Sequence, residues 1–217
     1  MKGILLSLIC FGLVGPVLAE PSSKVAWTLD TLNLVKKGNA ENGKNLAGTC
    51  AGCHNDTNAN PQLEGQLPTY LYKQLVDYKN NSRKDPTTAM NGLASTLSEQ
   101  DMADVAAFYG KQAAKLGKGG ASDPTGIVAK GDGKRMEPAC ASCHGGSGQG
   151  EKVDTPRLVG QKADYLENTL LDYKECEPNS VKNCKRANDI YSRMRLIASK
   201  LSDEEIKQLA EYYSKLD

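Results

Sequence analysis

Two segments of the chain combine a pair of cysteines with a histidine. Residues 50–54 and 140–144 both have the pattern Cys-x-x-Cys-His. Cysteines at i and i+3 of a helical turn point the same way and can each bond one vinyl group of a haem, and the histidine that follows then reaches the iron. The pattern predicts two covalently bound haem c groups, held by Cys50, Cys53, His54, Cys140, Cys143 and His144.

Cysteine pairs also occur in zinc sites and in thioredoxin-like redox centres, which are the two alternatives. A four-cysteine zinc site would join Cys53 to a pair that begins only at Cys140, and it would leave both histidines without a role. A thioredoxin-like pair needs a βαβ unit, and no stretch alternates with the period of two expected of strands. Both histidines of the chain lie in the motifs, so none is left for a general base.

The chain is an internal repeat, which places the two motifs in equivalent positions. Gly43-Lys44 returns 90 positions later, eight residues between 61 and 78 return 95 positions later, and the run 90–109 returns 104 positions later. The growing offset implies two insertions in the second copy, one after His144 and one that contains Cys176 and Cys184. Such a pattern predicts two fused copies of one domain.

The second axial position of each iron needs a ligand other than histidine. Methionine is the usual one where a haem carries electrons, and the chain has five. Met90 and Met194 align in the repeat, and each follows a polar loop and precedes a capped helix, so we predict that they bind the irons. Met102 aligns with Ile206 and Met136 with a leucine, so both are predicted to be core residues.

Within each copy the apolar residues follow helical spacing. Leu71, Leu75 and Tyr78 fall at i, i+4 and i+7, and the same three types recur 95 positions later. A capping box opens the last helix of each copy. The two boxes are Ser98 with Asp101 and Ser202 with Glu205. Each half is therefore predicted to be a small all-α domain whose apolar centre is completed by a bound prosthetic group.

The first 19 residues differ from the rest of the chain. Lys2 is their only charge, and the apolar run that follows ends at the small residue Ala19. This pattern predicts a secretory signal at residues 1–19, cleaved after Ala19, with a retained anchor helix as the alternative. No other stretch is long and apolar enough to span a bilayer. We therefore expect an exported, soluble protein.

A glycine-rich stretch near Gly119 is predicted to link the two copies. It gives an N-terminal domain at residues 20–118 and a C-terminal domain at residues 119–217. Residues 20–37 have no counterpart in the second copy, and we expect Trp27, Leu29, Leu32 and Val35 in this segment to pack on a domain surface.

Two further cysteines remain once the haem cysteines and Cys10 of the signal are set aside. Cys176 and Cys184 form an even pair in an oxidising compartment, which predicts a local disulfide. The alternative is that one of them, as a thiolate, binds the second iron in place of Met194.

Together these motifs resemble class I cytochromes c. Each copy has Cys-x-x-Cys-His, then Pro-x-Leu-x-Gly-Gln, then a methionine ahead of Leu-Ser, and a last helix that bears tyrosine. Two tandem copies over residues 38–217 resemble the dihaem cytochrome c4 family. The resemblance implies an all-α fold of two tandem class I cytochrome c domains about a pseudo-twofold axis, with the haem propionates near one another. It also implies His/Met-ligated irons and electron transport in the periplasm.

The resemblance suggests roles for residues around the haems. Pro61 and Pro156 would lie beside the ligand histidines, with a nearby backbone carbonyl accepting the Nδ1 proton. Arg83 and Arg186 either neutralise propionates or are ordinary surface residues, and we expect surface residues. The sequence departs from the family pattern at Thr169, where the first copy has glutamine, and in the insertion that contains the cysteine pair.

These features predict an electron carrier without substrate chemistry, since histidine and methionine would fill both axial positions of each iron. The expected partners are redox proteins: a quinol-oxidising complex or a dehydrogenase as donor, and a terminal oxidase as acceptor. With 27 Lys and Arg against 26 Asp and Glu and no basic cluster, nucleic acid is excluded. We expect a monomer, soluble or peripheral at the membrane.

Two alternatives to a free electron carrier remain. One is the dihaem subunit of a flavocytochrome-type sulfide dehydrogenase, and the other is a dihaem enzyme with an open or thiolate-ligated haem.

Overall fold

The computed structural model describes residues 23, 25–123, 125–151, 153–176 and 184–217. Within these ranges the chain forms helices and no strand, apart from one isolated bridge between Asp132 and Glu137. The prediction of an all-α protein is confirmed, and the predicted signal at residues 1–19 lies outside the described ranges. The helices are α1 (Leu29–Lys36), α2 (Ala40–Ala51), α3 (Pro68–Lys79), α4 (Ala89–Thr96), α5 (Glu99–Gly110), α6 (Ile127–Lys130), α7 (Ala141–His144), α8 (Ala163–Lys174), the 3-10 helix Ile190–Ser192, α9 (Arg193–Ala198) and α10 (Asp203–Lys215). None of the described helices is long and apolar enough to cross a membrane.

The first domain is built around α5, which packs against α1, α2 and α3. Ser98 begins α5 with the predicted capping box, in which its hydroxyl accepts from the Asp101 N–H and the Asp101 carboxylate accepts from the Ser98 N–H. Glycines allow close packing here, because a Cβ at Gly43 would collide with the backbone of α5. Met102 on α5 is fully buried, so its predicted place in the core is confirmed.

The second domain has the corresponding packing of α10 against α8, with α9 also packed on α8. Ser202 and Glu205 form the second predicted capping box at the start of α10. The apolar face of α10 is buried, with Ile206 fully enclosed in the position that matches Met102. In the segment that this domain lacks, Trp27 and Val35 pack in and against the core of the first domain, as predicted. The same prediction was wrong for Leu29, which is 79% exposed.

The two copies differ ahead of the second haem motif. Residues 40–51 form the single helix α2, whereas the matching part of the second copy forms α6, a turn and α7. Pro138 lies in this stretch. A proline inside a helix has no N–H to donate, and its ring would clash with the preceding turn, so the helix cannot continue through it. Met136 is consequently 81% exposed and has a φ of +54°. The prediction that Met136 is a core residue was wrong. The repeat aligns it with Leu46, but Leu46 lies in a helix and Met136 lies in a turn.

The predicted linker runs along the end of α10. The backbone N–H groups of Gly117 and Gly119 donate to the carbonyl oxygens of Leu216 and Lys215, each at 2.8 Å. Gly160 has a φ of +70° and a Cβ there would collide with the backbone carbonyl of Lys115, so this close approach requires glycine. The linker is thus fixed to the second domain by main-chain hydrogen bonds.

Two equivalent glutamines join the domains reciprocally. The Gln66 side chain donates to the Arg157 carbonyl at 3.0 Å and accepts from the Arg157 N–H at 2.8 Å. The Gln161 side chain makes the same two contacts with Gln62, both at 2.9 Å. Because each amide satisfies one backbone donor and one acceptor of the other domain, the pair forms a pseudo-twofold contact between the copies.

Cys176 and Cys184 form a disulfide, which confirms that prediction. Neither sulfur is therefore available as the thiolate considered as an alternative iron ligand. The chain that follows Cys184 reaches the first domain, where the Lys84 N–H donates to the Lys185 carbonyl at 2.9 Å. The insertion of the second copy is thus part of the contact between domains.

A buried polar network continues this contact along α3. The Lys73 ammonium binds the Asp77 carboxylate at 2.6 Å and the carbonyl of Asn188 at 2.7 Å. The Asn188 side-chain amide donates to Asp77 at 2.8 Å, and the Ser23 hydroxyl donates to the other Asp77 oxygen at 2.7 Å. Lys73 is 2% exposed and Asp77 is fully buried, so each charge is satisfied by hydrogen bonds inside the protein.

We expect Asp77→Ala to lower the free energy of unfolding of the haem-loaded protein by about 3–5 kcal/mol, because Lys73 would become a buried charge without its carboxylate. Urea unfolding followed by far-UV circular dichroism measures this change. The control is Glu211→Ala, which removes the acid of the exposed i,i+4 pair Glu211–Lys215. That pair contributes at most ~0.5 kcal/mol. Equal losses in the two variants would contradict a structural role for the buried pair.

Candidate haem sites

The first motif lies at the end of α2 and in the turn that follows it. Cys50 is on the last turn of the helix, and the His54 N–H donates to the Cys50 carbonyl at 2.9 Å, which continues the helical turn through the motif. The His54 Nδ1 lies 2.9 Å from the carbonyl oxygen of Pro61. The predicted contact between the ring and a backbone carbonyl near Pro61 is therefore present.

The second motif repeats this geometry on a shorter helix. Cys140 precedes α7, and the His144 N–H donates to the Cys140 carbonyl at 3.0 Å. The His144 Nδ1 lies 3.0 Å from the carbonyl oxygen of Pro156. The two copies thus place a histidine ring against the equivalent proline in spite of their different helices.

These contacts determine which ring nitrogen can bind a metal. A carbonyl oxygen only accepts hydrogen bonds, so Nδ1 carries the proton in both rings and Nε2 keeps its lone pair. Burial lowers the pKa of His54 and of His144. The hydrogen bonds to the proline carbonyls raise it, but the effect of burial is larger. Both imidazoles are therefore neutral near pH 7, the form that coordinates iron.

No disulfide joins the four cysteines of the two motifs. Burial raises the pKa of Cys50, and it raises the pKa of Cys140 to about 11. These values do not suit a thioredoxin-like pair, whose attacking thiol has a lowered pKa. The described residues also contain no group of three or more His, Cys, Asp or Glu that could hold a metal ion, which disfavours the zinc alternative.

Met90 and Met194 occupy the same place in two short helices. Each is the second residue of its helix, α4 or α9, and each side chain is half-buried. The residues that precede the helices, Thr88 and Ser192, have φ values of +62° and +55°. A positive φ is unusual for these residue types, so the matched turn is imposed by the surrounding fold in both copies. The role of the two methionines as iron ligands stays a prediction.

Arg83 and Arg186 are buried between the domains, at 8% and 3% exposure, so the expectation that they are surface residues was wrong. Arg83 lies over the Tyr78 ring at 4.6 Å, and its guanidinium donates across the interface to the Tyr165 hydroxyl at 3.3 Å. Arg186 lies over its own domain's Tyr173 ring at 4.7 Å and donates across the interface at 3.3 Å to the Tyr70 hydroxyl. Their burial depends on the other domain, which the local sequence does not reveal.

The two guanidinium groups have no carboxylate partner within the described ranges of the chain, and the Nε of each lacks any hydrogen-bond acceptor there. Burial raises the pKa of the Tyr165 phenol, but the positive charges of Arg83 and Arg186 outweigh it and lower that pKa below its usual value. The two cations lie close together among phenols and have no carboxylate beside them within the described ranges. The carboxylates of two haems would supply negative charge there, so the residues present fit that group.

Sequence analysis did not assign a role to Tyr70 and Tyr165. Tyr70 is one of the eight residues between 61 and 78 that return 95 positions later, and Tyr165 is its counterpart. Their hydroxyls accept from the two arginines across the interface. The sequence did contain a signal for this role: the tyrosine recurs 95 positions later, each time directly before the leucine that begins the apolar stripe of its helix, Leu71 or Leu166.

Comparisons with known proteins agree with this geometry. A family model for cytochrome c matches residues 40–110 and 128–217. Cytochrome c4 of Pseudomonas aeruginosa is 36% identical over 189 residues, which cover 81% of this chain and 87% of that protein. A protein of Stutzerimonas stutzeri described as a thiosulfate dehydrogenase electron acceptor is 32% identical over 177 residues, which cover 76% of this chain and 77% of that protein.

A solved structure shows the same fold. The crystal structure of reduced recombinant cytochrome c4 from Pseudomonas stutzeri superposes with a TM-score of 0.72 at 32% sequence identity, and the match covers 83% of this chain and 100% of that chain. This chain therefore belongs to the cytochrome c4 family and is an electron-transfer cytochrome with two covalently bound haem c groups, one at each Cys-x-x-Cys-His motif.

Proposed function

We propose that the chain is an exported, periplasmic electron carrier that passes single electrons between two redox proteins without transforming a substrate. The observation that carries this proposal is the pair of equivalent histidines, each with Nδ1 held by a proline carbonyl, in two domains that share one buried arginine cluster. This arrangement favours two sites whose ligands are fixed in place. A carrier needs such sites, because an iron whose surroundings do not move exchanges electrons with little reorganisation.

The chain's own residues hold and isolate the two groups. Cys50 and Cys53, with their counterparts in the second motif, would form the thioether bonds, and His54 and His144 would supply Nε2. When bound, each haem supplies one ferric/ferrous couple for electron transfer. Met90 and Met194 would close the remaining axial positions, which leaves no vacancy for oxygen, peroxide or a sulfur compound.

We expect Met90→Ala and Met194→Ala each to open one iron. Each variant should lose about half of the weak long-wavelength absorption of methionine-ligated ferric haem and should bind one carbon monoxide per chain when reduced. Visible and near-infrared spectra of the purified variants measure both effects. Met102→Leu in the core and Met136→Leu on the surface serve as controls, which should keep the full band. Loss of the band in either control instead would show that the ligands were assigned wrongly.

We expect Arg83→Met and Arg186→Met to lower the reduction potentials. Each removes a buried cation beside the predicted propionates, so the more positive ferric state becomes less unfavourable. The shift should be on the order of 59 mV, a tenfold change in the one-electron equilibrium. Spectroelectrochemical titration measures it. Arg135→Met removes an arginine that is already paired with Glu205 and should leave both potentials in place. Unchanged potentials in the two buried variants would place the propionates elsewhere.

A dehydrogenase is a suitable electron donor for this carrier. The relative described as a thiosulfate dehydrogenase electron acceptor matches 76% of this chain in an alignment of 177 residues. We propose that a thiosulfate-oxidising dehydrogenase is one candidate donor. A terminal oxidase or another cytochrome would then reoxidise the chain.

We expect the isolated chain to show negligible steady-state turnover with thiosulfate, sulfide or peroxide. Addition of a catalytic amount of a thiosulfate-oxidising dehydrogenase together with thiosulfate should reduce both haems, which stopped-flow absorbance records. Thiosulfate alone is the control and should reduce neither haem at a comparable rate. Substantial turnover by the isolated chain that is abolished by blocking one haem would favour a dihaem enzyme over a carrier.

A further inference from the structure

Lys162 belongs to the second domain but binds the loop that follows the first haem motif. Its ammonium donates to the carbonyl oxygens of Asn58 and Asn60 at 2.7 and 2.8 Å, and also to that of Asn55. An ammonium has three N–H donors, and each finds a carbonyl here. Within the described ranges no carboxylate lies at ion-pair distance from Lys162, so its charge is not neutralised by direct contact.

The loop that Lys162 holds also supports the first ligand histidine. Asn60 directly precedes Pro61, whose carbonyl accepts the hydrogen bond from the His54 Nδ1 at 2.9 Å. The contacts of the Lys162 ammonium therefore hold a positive charge on this loop and fix the backbone beside the acceptor of the ring proton.

The second haem site has no such cation in the equivalent place. The repeat matches Lys162 with Leu67, an apolar residue of the first domain. The longer loop after His144 is instead held by its own backbone, for example by the Gly150 N–H, which donates to the His144 carbonyl at 2.7 Å. A cation supplied by the opposite domain is thus specific to the first site. The cation near His144 is Arg193 of the same domain, which is paired with Asp154 at 2.5 Å.

Acidic neighbours of the first site oppose Lys162 only in part. Asp56 is paired with Lys115 at 2.5 Å, so these two charges largely compensate one another. Glu64 is an acid on the same loop, and the repeat replaces it with Val159 in the second copy.

We propose that Lys162 is a positioning residue supplied by the second domain, which raises the reduction potential of the first haem by holding a positive charge on the loop that supports His54. The proposal rests on the proposed function, because it requires that His54 binds the iron. Ferric haem carries one more positive charge than ferrous haem, so a fixed cation near the ligand disfavours the ferric state. Lys162 therefore gives the two haems different reduction potentials, although their binding motifs are alike.

The test compares charge variants of the haem-loaded chain by redox titration. Haem-methyl proton signals in the paramagnetic spectrum, assigned to each domain, report the two potentials separately. Lys162→Met should raise the ferric-to-ferrous ratio of the first haem at a fixed potential by roughly threefold to tenfold, a downward shift of at most about 59 mV. The second haem should move by less than a third as much. Glu64→Gln should shift the first haem upward.

Two controls separate charge from packing. Lys162→Arg keeps the charge and should keep most of the first potential, whereas Lys44→Met removes an exposed lysine of α2 and should move neither potential selectively. An unchanged first potential in Lys162→Met, an equal fall in Lys162→Arg, or equal shifts of both haems would overturn the proposal. Loss of histidine ligation in the unmodified chain would instead refute the proposed function, and the absorption spectrum reports this independently.

Discussion

Two buried guanidinium groups between the domains determine how the rest of the molecule is arranged. Arg83 and Arg186 cannot remain in a low-dielectric interface without compensation, because an unpaired buried charge costs several kcal/mol. Tyrosine rings and hydroxyls from both domains surround them but carry no formal negative charge. The carboxylates of bound haems would fit this position. Each domain completes the surroundings of the other's arginine.

Each histidine site likewise depends on very few interactions. One backbone carbonyl fixes the tautomer and the orientation of each ring, and burial keeps the ring neutral. These two effects come from the local chain and occur in both copies. The sites then differ in the charged residues around them, among which Lys162 is contributed to the first site by the opposite domain.

Local chemistry and repetition made a large part of this structure predictable from sequence. The Cys-x-x-Cys-His motifs, the capping boxes at Ser98 and Ser202 and the proline contacts all depend on residues close together in the chain. Met136 was misplaced because alignment in a repeat does not ensure equal backbone conformation, and Pro138 prevents the helix that would have buried it. The burial of Arg83 was missed because its neighbours in sequence are polar, and the rings that enclose it come partly from the other domain. The contacts of Gln66 and Gln161 join residues that are more than 90 positions apart, which no local pattern encodes.

The reciprocal glutamine contact has a consequence for how such a chain diverges. An interface in which each half presents the same group to the same backbone position of the other is isologous, the form expected between identical subunits. In a pair of identical subunits every substitution occurs twice, once on each side of the symmetry axis. Fusion into one chain removes that constraint, so a lysine can replace a leucine on one side only, and a disulfide-closed insertion can be added to one half. The covalent joining of the two domains is thus what allows two haems with equivalent ligands to acquire different environments.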